Sequence, residues 1–472
     1  MLRAYSVAQI RAAEEALATK TGWDTLMQTA ARGLADALDA IASGDLVLML
    51  IGPGNNGGDA LFAATHLLDR GVRVDLCLLD PETVHEAGLA AARAAGAQLV
   101  DEPTRQTTCV DALFGIGSRP GLSGRAAQWA AWIDRTQPFT IAVDVPSGID
   151  VDGGTCPRSA VRADATVTFG ALKPALLLSP AAAHAGADIH LVDIGLEPHL
   201  AAPTVEALET DDGGLLLDAL PAVSGHKYTR GVVGVAAGSD EYAGAAHLCV
   251  AGAQSGPAGM VRFAGSTALS ARVVDRAPEV VAGSGRVQAW VVGPGGGDDV
   301  GELVAIALQD DVPVVIDASA LAHLPDAFDV PVVLTPHAGE LARMLDIERA
   351  DVEADPLGHA RQASQRWRAT ILLKGSRTVI VAPDGRARVN LSGTPWLGTA
   401  GAGDVLAGLI GSLLASGMSA FDAASVGAFL HAAAATAAGG PLTASDVASH
   451  LPGTVAAFLD GSLTDVLRED WV

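Results

Sequence analysis

The residues of this chain best suited to chemistry are aspartates that stand beside glycines at the ends of apolar runs. Gly398-Thr399-Ala400-Gly401-Ala402-Gly403-Asp404 leads from an irregular, proline-bearing segment (393–397) into a long apolar stretch. The first turn of a helix presents N–H groups without partners and a partial positive charge, and glycines there let an anion reach the backbone. A carboxylate at that spot repels a phosphate unless it acts on it, so Asp404 reads as a base, with a plain N-cap as the alternative. Lys374 closes the apolar Ile371-Leu372-Leu373 beside Gly375, a position suited to phosphate. His337, in Thr335-Pro336-His337-Ala338-Gly339-Glu340, is either a helix cap or a ligand contact.

A second group lies upstream. The apolar run Leu46 to Ile51, the loop Gly52-Pro53-Gly54-Asn55-Asn56-Gly57-Gly58-Asp59, a helical pattern from Ala60 to Arg70 and a strand from Val72 to Leu79 form a βαβ unit. Gly52, Gly54 and Gly57 fit the dinucleotide fingerprint of dehydrogenases. Asp59, expected in the first helical turn, would oppose a diphosphate there. Asn55, Asn56 and Asp59 instead offer oxygens for a cation or a polar ligand, the alternative being a capped tight turn. Asp111 in Val110 to Gly117 and Asp144 in Thr140 to Asp150 also end apolar strands. Ligands of open α/β sheets bind outside such ends, so Asp59, Asp111 and Asp144 are expected to converge on one crevice, with Asn56 and Ser147 beside them.

The elements that must hold these groups fit a two-domain α/β chain. A length of 472 residues exceeds one ordinary core, and half the residues are hydrophobic, with abundant glycine and few aromatics. Strands alternate with helical patterns in both halves, which predicts two parallel sheets wrapped by helices. The proline-bearing, acidic stretch from Glu197 to Ser224 sets the expected division: 1–205, a linker 206–223, and 224–472. A formal charge of −24 disfavours nucleic acid and anionic membrane as partners. Val405 to Phe421 and Ala423 to Leu442 are long and apolar but rich in Gly, Ala and Ser, and read as buried core helices rather than membrane spans. Cys77, Cys109, Cys156 and Cys249 are far apart without a CxxC, as expected of reduced thiols in a cytoplasmic protein. Of only four lysines (Lys20, Lys173, Lys227, Lys374), three fall inside the motifs.

The series GPGNNGGD, DALFGIG, VDVPSGID, ADATVTFGALKPAL and VDIGL resembles the N-terminal, Rossmann-like epimerase domain of the NAD(P)H-hydrate (NAD(P)HX) repair proteins. That resemblance implies a potassium ion on Asn56, Asp111 and Ser147. It implies that Asn55, Asn56, Gly57, Gly58 and Asp59 contact the hydrate, together with Gly115, Ile116, Gly117, Ser118, Arg119, Pro120, Gly121 and Asp144. Asp144 would lie nearest the chemistry, with Asp59 as a further catalytic carboxylate. Ala60 stands where the family usually has glycine.

The set HKxxxG, GSxxxxGAA, GPGxG, TPHxGE, LLKGxxT and GTAGAGDVLAG resembles the ribokinase-like dehydratase half of the same proteins, an α/β/α sandwich. By that resemblance Ala245, Gly295, Gly297, His337 and Asp404 face the hydrate. Lys374, Gly375, Ser376, Arg377, Thr378, Gly401 and Gly403 hold the nucleotide. Ser319 replaces a second aspartate common in the family.

The implied activity is repair of hydrated NADH and NADPH in two steps: epimerisation of the R and S hydrates by the first domain, then ADP-dependent dehydration of the S form by the second, yielding AMP and phosphate. Magnesium on the phosphates and a homo-oligomeric state are expected with it. The rival readings are a ribokinase-like small-molecule kinase fused to a nucleotide-binding domain, and a non-catalytic NAD(P) sensor or scaffold.

Overall fold

The computed structural model describes residues 1–41, 46–104, 107–117, 119–219 and 226–464. The chain divides into two compact units, residues 3–205 and residues 206–472 together with Met1 and Leu2. The segment 206–219, expected as linker, carries the end of the strand Val205–Ala207 and the 3-10 helix Asp212–Ala219.

In the first unit seven strands form one parallel sheet. Their order across it is Gln98–Leu99, Arg73–Leu78, Leu46–Ile51, Thr108–Ala112, Phe139–Val143, Ala165–Phe169 and Asp188–Val192. Both faces of the central strands are covered, which is why Leu46–Ile51 and Thr108–Ala112 read as unbroken apolar runs rather than alternating ones. One core lies under the helices Trp23–Ile41 and Gly54–Asp69, the other under the helix Gly124–Thr136.

The helix Gly54–Asp69 begins six residues before the predicted Ala60. Asparagine and glycine are poor helix formers, but packing decides here: a Cβ at Gly52 would collide with the Leu113 carbonyl oxygen, and one at Gly57 with the Gly52 carbonyl oxygen. Asp59 therefore sits in the second helical turn, not the first, and the charge objection at the helix start falls away, since the first turn holds the neutral Asn55 and Asn56.

In the second unit the sheet runs from Val205–Ala207 through Ala387–Asn390, Thr378–Val381 and Thr370–Leu373 to Val332–Leu334. It continues through Val314–Ile316, Ala289–Val292, Val232–Ala236 and Met260–Phe263 to Val281–Ala282. This sheet is mixed, against the expectation of a parallel one. Thr370–Leu373, Thr378–Val381 and Ala387–Asn390 pair antiparallel, because the short turn 374–377 can join strands only as a hairpin. The helices Ala402–Ala415 and Ala420–Ala438 are buried almost all round, which explains their uniformly apolar sequence. Among the described residues no helix is long and apolar enough to cross a membrane.

Candidate active sites

In the first unit, Asp144 follows the strand Phe139–Val143 in a left-handed conformation, φ 69°. Non-glycine residues rarely adopt it, and here it aims the carboxylate back over the sheet end. One oxygen accepts from the Ile116 amide at 3.0 Å, and the other lies 2.5 Å from the Lys173 ammonium. Lys173 is buried and donates further to Thr168 Oγ1 (2.7 Å) and the Phe169 carbonyl (3.0 Å). Its three acceptors account for its three protons, so a buried cation is fully hydrogen-bonded.

Asp144 opens on a cavity of about 1010 Å³ with Asn55, Asn56, Asp59, Gly115, Ile116, Gly117, Arg119 and Gly121 in its wall. Gly115 is needed there because a Cβ would sit 2.9 Å from Asp144 Oδ2 and 3.0 Å from Asn56 Oδ1. Burial first, then the charges of Asp144 and Glu14, push Asp59 well above the usual carboxylate range.

Asp111 does not reach this cavity. It is fully buried below it, accepting from the Ser147 amide (2.8 Å), the Ser147 hydroxyl (2.7 Å) and the Leu113 amide (3.3 Å). Burial raises it to about 6 against those three hydrogen bonds. Among the described residues its hydrogen-bond partners are all neutral. A buried carboxylate lacking a counter-charge beside the Ser147 hydroxyl oxygen fits a hard monovalent cation.

In the second unit Asp404 is the third residue of the helix Ala402–Ala415, which follows Gly401 at φ 87°. Burial first, then Asp317, raise its carboxyl to about 7, while Lys374 pulls the other way. Lys374 Nζ lies 2.8 Å from Asp317 Oδ1 and 3.9 Å from Glu340 Oε2. Burial pushes the ammonium down, but Asp317, Glu340 and Asp404 outweigh it and hold Lys374 above its ordinary value. A Cβ at Gly403 would stand 3.4 Å from Lys374 Nζ, so the glycine leaves the space before the lysine open. His431, buried on the helix Ala420–Ala438, bonds to the Ala402 backbone, and burial pushes it down to about 4, so it is neutral.

Residues matching the family described as NAD(P)H-hydrate dehydratase span 233–452, and those matching the one described as YjeF-related protein N-terminus span 23–175. The Bifunctional NAD(P)H-hydrate repair enzyme Nnr of Mycobacterium leprae is 41% identical over 96% of this chain and 99% of its own. That of Mycobacterium tuberculosis (strain CDC 1551 / Oshkosh) is 43% identical over 89% of this chain and 90% of its own. The chain belongs to the bifunctional NAD(P)H-hydrate repair enzyme family. Among solved structures it is similar to the ADP/ATP-dependent NAD(P)H-hydrate dehydratase from Bacillus subtilis co-crystallized with ATP/Mg2+, at 28% identity and TM-score 0.49, covering 54% of this chain and 99% of that one.

The residues expected from the repair-enzyme resemblance are brought together unevenly. Gly57 and Gly58 pack inward, against Gly52 and His85, and Pro120 is outside the cavity wall. Ser118 lies outside the described residues. Ala245 and Gly295 touch, a Cβ at Gly295 meeting that of Ala245 at 2.5 Å, and a Cβ at Gly297 would stand 3.3 Å from Ser239. His337 is a helix cap: Nδ1 accepts from the Glu340 amide at 3.1 Å and the His337 amide donates to Glu340 Oε2 at 2.8 Å. Its ring is nevertheless exposed beside the Lys374 strand end. Gly375, Ser376 and Arg377 form the turn and Thr378 opens the next strand, with burial holding Arg377 below its ordinary value. Ser319 pins the glycine turn by donating to the Gly293 (3.1 Å) and Gly296 (3.3 Å) carbonyls.

Sequence reasoning missed Glu14 and Arg11 in the first wall, Lys173 behind Asp144, and Asp317 and His431 around Asp404. A lysine enclosed by Ala171-Leu172 and Pro174-Ala175 was a legible sign of a buried cation. Glu14 carried none, being one of two adjacent glutamates on the helix Val7–Thr21.

Proposed function

We propose that this chain restores hydrated NADH and NADPH in two steps carried by separate centres. The observation that carries this reading is a 41% match over 96% of the chain and 99% of the repair enzyme, so that both centres belong to one polypeptide.

At the first centre the R and S hydrates interconvert at C6 of the nicotinamide ring. Asn55, Asn56, Asp59, Gly115, Ile116, Gly117, Arg119, Gly121 and Asp144 contact the hydrate, and Asp144, fixed by Lys173, opposes positive charge developing on the ring. Potassium would be held by Asn56, Asp111 and Ser147, supplying the counter-charge that Asp111 lacks.

At the second centre Asp404 takes the proton of the hydrate hydroxyl, whose oxygen attacks the terminal phosphoryl group of ADP and displaces AMP as the bond to the bridging oxygen breaks. The amides of Gly401 to Gly403 and Lys374 meet the charge that develops on that group. The phosphate ester then leaves with the electrons of the C6–O bond as the ring nitrogen pushes in, and loss of a C5 proton restores the dihydronicotinamide. Magnesium is expected on the nucleotide phosphates rather than in a protein cage, since Asp317 and Glu340 already face Lys374.

The test is to incubate the mixed hydrates with magnesium and ADP, then ATP, and follow the near-ultraviolet absorbance of the reduced ring. Full recovery is expected with ADP. A phosphorylated product that accumulates without recovery would mark a kinase, and no change with either nucleotide would end the repair reading.

A further inference from the structure

Resting on the epimerase reading of the first centre, we infer that Glu14 is a further catalytic residue, exchanging a proton with the C6 hydroxyl on one face of the ring while Asp59 serves the other. Glu14 lies on the helix Val7–Thr21, far in sequence from every motif. That helix is fixed at its start by the Ser6–Gln9 capping box and by the Val7 amide on Asp152 (2.8 Å). Ile10 and Ala13 seat it against Ala171 and Leu196. Glu14 is thereby delivered into the walls of two adjoining cavities, of about 1010 and 570 Å³, which share it with Asn55, Asp59 and Phe169.

The carboxyl groups at this junction differ in how they are held. Both oxygens of Asp144 are taken, by Lys173 and the Ile116 amide, which makes it a fixed charge ill-suited to passing protons. Glu14 and Asp59 have no hydrogen bond or ion pair among the described residues, and they reach the junction from two different helices. The charged groups facing Glu14 are Asp144, Lys173, Arg11 and Asp59; burial first, then Asp144, raise its carboxyl, while Lys173 and Arg11 oppose them. Of the two, Asp59 is held further above the carboxylate range, which makes it the acid and Glu14 the base.

That pairing matches what epimerisation requires. The protonated Asp59 gives its proton to the C6 hydroxyl, the C6–O bond breaks with its electrons on the departing water, and the N1 lone pair forms the C6=N1 bond. The planar cation faces Asp144. A water then adds to C6 from the opposite face and loses a proton to the Glu14 carboxylate, and solvent exchange resets the pair. The reverse direction uses the same groups with their roles exchanged.

The test follows conversion of purified S hydrate to the R epimer without nucleotide, on the full chain. Glu14→Gln is expected to lower kcat about a hundredfold or more with KM within about threefold, and Glu14→Asp to recover about a tenth of wild-type kcat. Nucleotide-dependent dehydration of S hydrate by the same samples should be unchanged, which controls for folding. Wild-type turnover with Glu14→Gln equally active, or impaired only in KM, overturns the inference about Glu14 alone. A wild-type chain that does not interconvert the epimers overturns the epimerase reading and this inference with it.

Discussion

Lys173 Nζ stands 2.5 Å from Asp144 Oδ1, with the lysine side chain 1% exposed. Removing one partner of a buried pair strands the other charge, which costs about 3–5 kcal/mol. Lys173→Met is therefore expected to lower the melting temperature of the first unit in calorimetry and to abolish epimerisation. A variant that melts as the wild type does would show that Asp144 finds another partner.

Asp404 sits at about 7 in the folded chain against an ordinary 3.8. A base works only when deprotonated, so the rate of dehydration should rise with pH through about 7 and level off above it. Stability has the opposite sign. A carboxyl whose folded value is raised contributes stability below 3.8 that is lost as pH climbs through about 7. Asp404→Asn should therefore stabilise the ligand-free second unit, by an amount that grows over that window and is constant above it. Thermal melts across the window would contradict this if the gain were largest in acid.

Gly403 leaves the space before Lys374 open, and a Cβ there would stand 3.4 Å from Nζ without meeting backbone. Gly403→Ala should weaken nucleotide binding about tenfold in calorimetric titration while the melting temperature moves little. Gly408 differs: a Cβ would strike the Cys249 carbonyl, where the helices Ala243–Ser255 and Ala402–Ala415 meet backbone to backbone. Gly408→Ala should cost about 1–3 kcal/mol or more through overpacking and displace Asp404, lowering dehydration but not epimerisation.

Asp111 is buried and, among the described residues, is met only by neutral donors. Exchange from potassium into choline buffer should slow epimerisation and lower the first transition in calorimetry, with potassium restoring both. Asp111→Asn should remove the potassium dependence. Equal rates in both buffers would count against a cation at this site.

Much of the scaffold was legible because its signals are local. Leu46 to Ile51 and Ile371-Leu372-Leu373 emerge as strands where the apolar runs put them, within a residue or so. The start of the helix at Gly54 was not legible: its residues favour loops, and only contact with Leu113 and with the neighbouring strands makes the helical path the compact one.

The order of residues along the chain determined the two α/β halves, the aspartates at strand ends and the glycines before Asp404, since each depends on neighbours a few positions away. Tertiary structure alone decided which charges face one another. Lys173 against Asp144, Asp317 against Lys374, and Glu14 beside Asp59 join residues 29, 57 and 45 positions apart. Charge interactions act through space and strengthen as water is excluded, so their strength is set by the burial and distances that the fold imposes.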